Sequence, residues 1–285
     1  MSKIRRPAVA GYFYPRDPGE LINYISTLFK KGPGEPKPVI KSERNIIGIV
    51  SPHAGYMYSG WIAVYGYYHV AADGLPKNII LIGPNHTGLG TAISVYPGDY
   101  WETPLGIVQV DVGLGKGIAE YHDLISLDEG AHFNEHSLEV QIPFIQFLYR
   151  GLDLEYKILP ITMMLQNIEA AKILGEAIYR YIKDSFNDYL VIASTDFTHY
   201  EPAESARRKD KYVIDAILNC DPEALINNVY MHDVSMCGYG PVATLLYVGK
   251  LLGRCNVSLL KYGNSGDVTG DYSSVVAYAS FKVEK

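Results

Sequence analysis

His53 and His86 each follow an apolar run and precede a glycine-rich turn, in NIIGIVSPHAGYMYSG and NIILIGPNHTG. Cys237 sits in VSMCGYGP, just ahead of a helical pattern, where two glycines let backbone approach a bound group closely. Imidazole and thiolate both bind first-row metals, so these three residues form a candidate metal set. Taken singly, either histidine is as readily a core or helix-start residue, and the cysteine a small buried hydrophobe. Two histidines in one topological place, the end of an apolar strand, shift the reading toward a site. YLVIASTDFTHY repeats the pattern and delivers Asp196 and His199 as the candidate catalytic pair. A carboxylate can fix the orientation of a neighbouring ligand, and a histidine at a strand end can move protons near neutral pH. Helix capping by Asp196 or Thr195 is the plainer role for that turn and is compatible with a site.

AHFNEHSLEVQ contains His132, Glu135 and His136 in an H-x-x-E-H string. Inverted zinc peptidases carry that string on a helix, so that both histidines share one face and the glutamate acts as base. Here the helix is expected to begin near Glu135 or His136, and no third ligand is evident downstream. The three residues are therefore expected to line the same cleft as His53 and His86. Tyr56 and Asn85, beside the two histidines in PHAGY and GPNH, are placed there too. GxxxxGK[ST], GxGxxG and GxSxG are all absent.

Placing these residues together requires an α/β sheet whose strand ends share one edge, where open sheets bind their ligands. The apolar runs NIIGIV, NIILIG, TAISV, YKILPI, YLVIAS, VSLLKYG and SSVVAYASF have strand length, and several are continuously apolar, as central strands covered on both faces are. Between them lie helical patterns: DPGELINYISTLFK with Asp17 as N-cap, SLEVQIPFIQFLY, NIEAAKILGEAIYRYIK, ESARRKDKYVIDAIL, PEALINNVY and PVATLLYVGKLLG. DYWETPLGIVQVD predicts a hairpin turning at Pro104-Leu105-Gly106, and the strands joined by GNSGDVTGDY are expected to pair antiparallel at an edge. KKGPGEPKPVIKSER reads as a linker. The alternation predicts one α/β domain over residues 1–285, with a mixed, mostly parallel central sheet and helices on both faces.

Composition narrows the classes further. A chain of 285 residues, 48% hydrophobic, can bury a full core. Its net charge of -6 and lack of a basic run argue against a nucleic-acid surface. No stretch approaches the roughly 20 apolar residues of a membrane span, and no apolar run follows SKIRR as a signal peptide would need. Three cysteines without CxxC predict no disulfide framework, with Cys220 and Cys255 structural and the setting a reducing cytoplasm. The 24 tyrosines are assigned to packing. A homo-oligomer is left open.

The segments RRPAVAGYFYP, SPHAGYMYSG, LIGPNHTG, W-x-TPLG, NEHSLEVQIPF, STDFTHY, SMCGYGP and YGNSGDVTGDYSSVVAYAS run in order from end to end. Through them the chain resembles the Memo family, named for a mediator of ErbB-driven cell motility. The resemblance implies a fold shared with class III extradiol dioxygenases, non-haem iron enzymes that open catechol rings with dioxygen. It also implies that His53, His86 and Cys237 face a metal, that Asp196 and His199 stand beside it, and that His132 and His136 lie along the cleft. Cys237 occupies the place of the dioxygenases' carboxylate ligand. Iron or copper, with zinc as the alternative, suits such a donor set. The implied function is metal-dependent redox or dioxygenase-like chemistry on a small phenolic. The alternative is a binding module on an enzyme-derived fold, taking a small molecule or a phosphotyrosine-type peptide in the cleft.

Overall fold

The apolar runs become strands and the periodic stretches helices in a computed structural model that describes residues 2–41, 43–253 and 255–285. Met1 and Arg254, within the expected domain, and Ser42, within the expected linker, lie outside the described residues. The first half runs β1 (Ile4–Arg5), α1 (Pro18–Lys31), β2 (Ile46–Ser51), α2 (Tyr56–Asp73), β3 (Asn78–Pro84), β4 (Ile93–Val95), β5 (Tyr100–Thr103), β6 (Gly106–Val110), α3 (Val112–Ala119), β7 (Ile125–Leu127) and α4 (Ile142–Tyr149). The second runs β8 (Lys157–Met163), α5 (Ile168–Ile182), β9 (Tyr189–Ser194), β10 (His199–Glu201), α6 (Ala203–Leu218), α7 (Pro222–Met231), α8 (Tyr239–Leu251), β11 (Asn256–Asn264), α9 (Gly266–Thr269) and β12 (Val275–Glu284).

The sheet order is β1-β5-β6-β8-β3-β9-β2-β12-β10, with β11 on β12, β4 on β8 and β7 on β4. The run from β6 to β2 is parallel, while β12 joins β2, β10 and β11 antiparallel. Side chains alternate across a strand, and this divides the molecule into two cores. In β3, Ile80 and Ile82 pack into one core and Ile79 and Leu81 into the other; Val191 and Ala193 oppose Leu190 and Ile192 in β9. The first core is closed by α3 and α5 to α8, the second by α1, α2 and α4. Each fully buried Ile or Leu contributes about 1.5–3 kcal/mol over its exposed state. The hairpin forms between β5 and β6, and β11 pairs with β12 as expected. No helix among the described residues is long and apolar enough to cross a membrane.

Three features differ from the sequence reading. The 18-residue α2, which follows the His53 turn, was not among the expected helices. It is buried nearly all round, through Tyr56, Ile62, Ala63, Val64, Tyr67 and Val70, so it carries no polar face to betray its period. The helix expected over SLEVQIPFIQFLY starts only at Ile142, after a 3₁₀ turn at Glu139–Gln141. Pro143 sets that start, since its ring is tolerated in the first turn and not further in. Finally, Cys220 and Cys255 form a disulfide, with Cα atoms 6.1 Å apart. The expectation of no disulfide is corrected, because an odd count still allows one pair when the fold brings two chain segments together. Cys237 is the free cysteine.

Candidate metal centre and cavity

His53, His86 and Asp196 are delivered by the carboxyl ends of β2, β3 and β9, three parallel strands in register. Cys237 arrives from the loop before α8 and closes onto the end of β9. Its amide donates to the Asp196 carbonyl at 3.2 Å, and Gln166 holds the loop by donating to the Cys237 carbonyl and accepting from Gly240. Gly238 must be glycine for this approach, because a Cβ there would collide with the Ser194 carbonyl oxygen. The ligand atoms of His53, His86 and Cys237 lie within 4.8 Å of one another; those of His86, Glu135 and His136 do so as well.

Hydrogen bonds decide which ring nitrogen each histidine presents. Ser194 Oγ donates its single proton to the Ser137 carbonyl at 2.7 Å, so it can only accept from His53 Nδ1 at 2.9 Å. His53 Nε2 is then a bare lone pair, 3.2 Å from Cys237 Sγ. His86 Nδ1 lies 2.9 Å from a Glu135 carboxylate oxygen, and the other oxygen accepts the His86 amide, which again leaves Nε2 bare. His199 Nδ1 faces the Ser235 carbonyl at 2.8 Å, so its Nε2 is also free. In each case a fixed Nδ1–H sets the tautomer, as in metal-bound imidazoles.

Electrostatics favour neutral ligands. Burial, together with His86, His136 and His199 nearby, holds His53 well below the ordinary histidine range. Burial and the neighbouring His86 bring His136 down to about 4. Burial pushes the Cys237 thiol up, and the Asp196 charge adds to this, while the Asp196 amide donates to its sulfur at 3.2 Å. Burial works to raise Glu135, but hydrogen bonds from His86 and Ser137 hold it down to about 2. Asp196 is pushed up to about 6 by burial; its Oδ1 accepts the His53 amide at 2.8 Å, and its Oδ2 lies 4.0 Å from His53 Nε2. Asp196 caps no helix here, since the chain continues into β10.

A cavity of about 530 Å³ opens in front of these groups, lined by His53, His86, His136, Asp196 and His199 together with Tyr12, Phe13, Met57, Tyr58, Tyr200 and Tyr278, among others. His136 stacks on His86 with ring centroids 4.6 Å apart. The other expected cleft residues stand behind the wall. His132 is fully buried, its Nε2 against the Ser94 carbonyl at 3.1 Å and its ring against Tyr96 and Trp101. It belongs to a 3₁₀ turn ending at His132, so the H-x-x-E-H string shares no helical face. Tyr56 points into the second core and donates to the Val140 carbonyl. Asn85 accepts from Thr87 and Gly88 and shapes the turn that carries His86. Glu135 acts through His86.

Several supporting residues escaped the sequence reading. Arg5 donates to the carbonyls of His132 and Glu135 and pairs with buried Glu139. Glu139 also accepts from the amides of Ala8 and Val9, tying the N-terminal segment under the cavity. A lone carboxylate within the apolar stretch LEVQIPF was the available signal. Gln141 donates to Ser194 Oγ and to the Pro52 carbonyl, bracing the His53 turn.

A family profile described as Memo-like protein matches residues 5–282. The chain is 45% identical over 278 residues to a MEMO1 family protein of Methanothermobacter thermautotrophicus, covering 97% of this chain and 99% of that one. It is 46% identical to a MEMO1 family protein of Methanocaldococcus jannaschii over 289 residues, all of both chains. A further relative, from Desulfurococcus amylolyticus, is 47% identical over 283 residues, 98% of this chain and 99% of the other. Among solved structures, that of an uncharacterized Escherichia coli K12 protein matches with a TM-score of 0.51 at 16% identity, covering 74% of this chain and 88% of that one. That likeness shows a shared fold.

Proposed function

Because the chain belongs to the Memo-like protein family, we propose that it is a metal-dependent redox enzyme, dioxygenase-like in kind, acting on a small phenolic or related substrate. The observation that carries this reading is the convergence of two Nε2 lone pairs, on His53 and His86, with the Cys237 sulfur. The donor set passes a test of fit. Both imidazoles turn Nε2 toward the sulfur because Nδ1 is engaged by Ser194 or Glu135, and the thiol proton faces a bare nitrogen where a cation can replace it. Two imidazoles and a thiolate suit iron or copper, and also zinc. Iron or copper, when bound, would supply a Lewis acid and an electron carrier for a phenolate and dioxygen, whereas zinc would supply the Lewis acid alone.

The protein's own residues supply the rest. His199 presents Nε2 to the cavity with its tautomer fixed by Ser235, and it takes the proton of an incoming phenol. Asp196, at about 6, braces the His53 amide and exchanges a proton close to neutral pH. Phe13, Met57 and Val276 give the wall an apolar body that excludes water. Dioxygen uptake with a panel of catechols tests the proposal. His199→Ala should abolish uptake at unchanged metal content; a metal-loaded parent that consumes no dioxygen with any catechol refutes it.

A second reading, binding without turnover, draws on the mouth of the cavity, where Tyr12 and Tyr200 are 77% and 79% exposed. Aromatic rings there offer a contact surface. No lysine or arginine is among the described residues lining the cavity, so a phosphate would lack its usual partner. Peptide affinity that is unchanged by stripping the metal would favour this reading.

A further inference from the structure

Tyr278 is a residue that neither core explains. It is 1% exposed, yet it packs into neither apolar cluster, while its β12 neighbours Ala277, Ala279 and Phe281 all belong to the first. Alternation along β12 turns Val276 and Tyr278 to the cavity, and both line it. Val276 pairs with His199 across the β10–β12 ladder, so Tyr278 stands one step further along the wall from the free His199 Nε2. Among the described residues the Tyr278 hydroxyl has no hydrogen-bond partner, and the little surface it keeps includes that oxygen. Tyr96 likewise lacks a partner, but its hydroxyl is fully enclosed and does not line the cavity. Tyr14, Tyr56, Tyr67 and Tyr149 each spend their hydroxyl on a protein acceptor. A phenol hydroxyl buried without a partner costs free energy unless something else satisfies it.

We propose that Tyr278 is a ligand-contacting, specificity-determining residue, its hydroxyl hydrogen-bonding an uncharged oxygen substituent of a small ligand with an apolar body. The proposal rests on the reading of this cavity as the ligand site. The charge inventory sets the class. Asp196 is the one carboxylate among the described lining residues, and no cation balances a strongly anionic group apart from any bound metal. A neutral hydroxyl or carbonyl oxygen is therefore what Tyr278 can serve, with the aromatic and aliphatic wall covering the rest of the ligand.

The test uses two coloured or absorbing probes, 4-nitrocatechol and nitrobenzene, titrated into wild type, Tyr278→Phe and Tyr181→Phe, the last an exposed tyrosine on α5 away from the cavity. Titrations are run anaerobically at a pH below the first ionisation of 4-nitrocatechol, so that the probe is neutral, with and without added Fe(II), and metal content and thermal melts are recorded in parallel. The phenylalanine variant should melt and bind metal like wild type, because the lost hydroxyl had no protein partner. It should bind 4-nitrocatechol about 5–10-fold more weakly, the worth of one hydrogen bond. Nitrobenzene should bind wild type and Tyr278→Phe equally, and Tyr181→Phe should stay within about twofold for either probe. Equal 4-nitrocatechol affinity in wild type and Tyr278→Phe overturns the proposal. So does the absence of 4-nitrocatechol binding to wild type. If the variant misfolds, wild type alone decides: stripped of metal, it must still prefer 4-nitrocatechol to nitrobenzene, and equal affinity overturns the idea. Failure of wild type to hold either iron or copper would remove the proposed redox function, while the metal-free comparison still decides the role of Tyr278.

Discussion

Replacing Glu135 by Gln should expose how strongly the fold depends on a charge hidden behind His86. The carboxylate is buried and accepts three donors: the His86 amide, His86 Nδ1–H at 2.9 Å and the Ser137 amide at 2.9 Å. These bonds hold it at about 2, against an ordinary 4.5. A gap of about 2.5 units corresponds to about 3 kcal/mol favouring the ionised form in the folded state. Because the folded value is depressed, this stability is present above the unfolded value and drains away as pH falls toward the folded one. Glutamine keeps the shape but presents an NH₂ to groups that are themselves donors. In urea denaturation of metal-stripped protein, the variant should be about 3 kcal/mol less stable than wild type at pH 5, and the difference should shrink by about 2 kcal/mol at pH 3. A difference that is constant or grows toward acid would refute the reasoning, since the charge would then contribute nothing specific. The same change should weaken metal binding by about 10–100-fold, because His86 would lose the partner that fixes its Nε2.

Reduction of the Cys220–Cys255 bridge, which closes a 35-residue separation, should cost about 4 kcal/mol and lower Tm by about 6 °C in a chain of this size. Thiol counting on unfolded, unreduced protein should find Cys237 alone; three free thiols would contradict the pairing. Asp210 is buried and pushed up to about 6, chiefly by burial, although Thr198 and Tyr262 donate to it. A raised carboxyl favours the protonated fold, so its benefit is whole below about 3.8 and gone above about 6. Asp210→Asn should therefore match wild type near pH 4 and exceed it by up to about 3 kcal/mol at pH 8; a variant that is weaker at pH 8 would show the ionised form to be needed.

The strands and the topological place of the site were legible because β2, β3 and β9 are continuously apolar and end in residues that packing does not need. His53, His86, Asp196 and His199 could be singled out on that ground, and Cys237 by the glycine-rich turn around it; the fold brings them to one sheet edge. What stayed hidden depended on contacts distant in sequence. His132 and His136 look alike in the string, yet one faces Trp101 and the other His86. Tyr278 is one of 24 tyrosines, and its free hydroxyl is visible only against the bonded ones. The Arg5–Glu139 pair links residues 134 apart, so neither end announces the other. The long α2 was masked by its own burial, which removes the polar face that marks a helix in sequence.

The central claim is that His53, His86 and Cys237 hold a redox metal. Elemental analysis of protein purified without oxygen or chelators, beside the His53→Ala/His86→Ala double variant and Cys237→Ser, tests it most directly. The account predicts near-stoichiometric iron or copper in wild type, none in the double variant and weakened retention in Cys237→Ser, where a hydroxyl replaces the thiolate. Equal metal in wild type and the double variant, or none in wild type after anaerobic reloading, would contradict it.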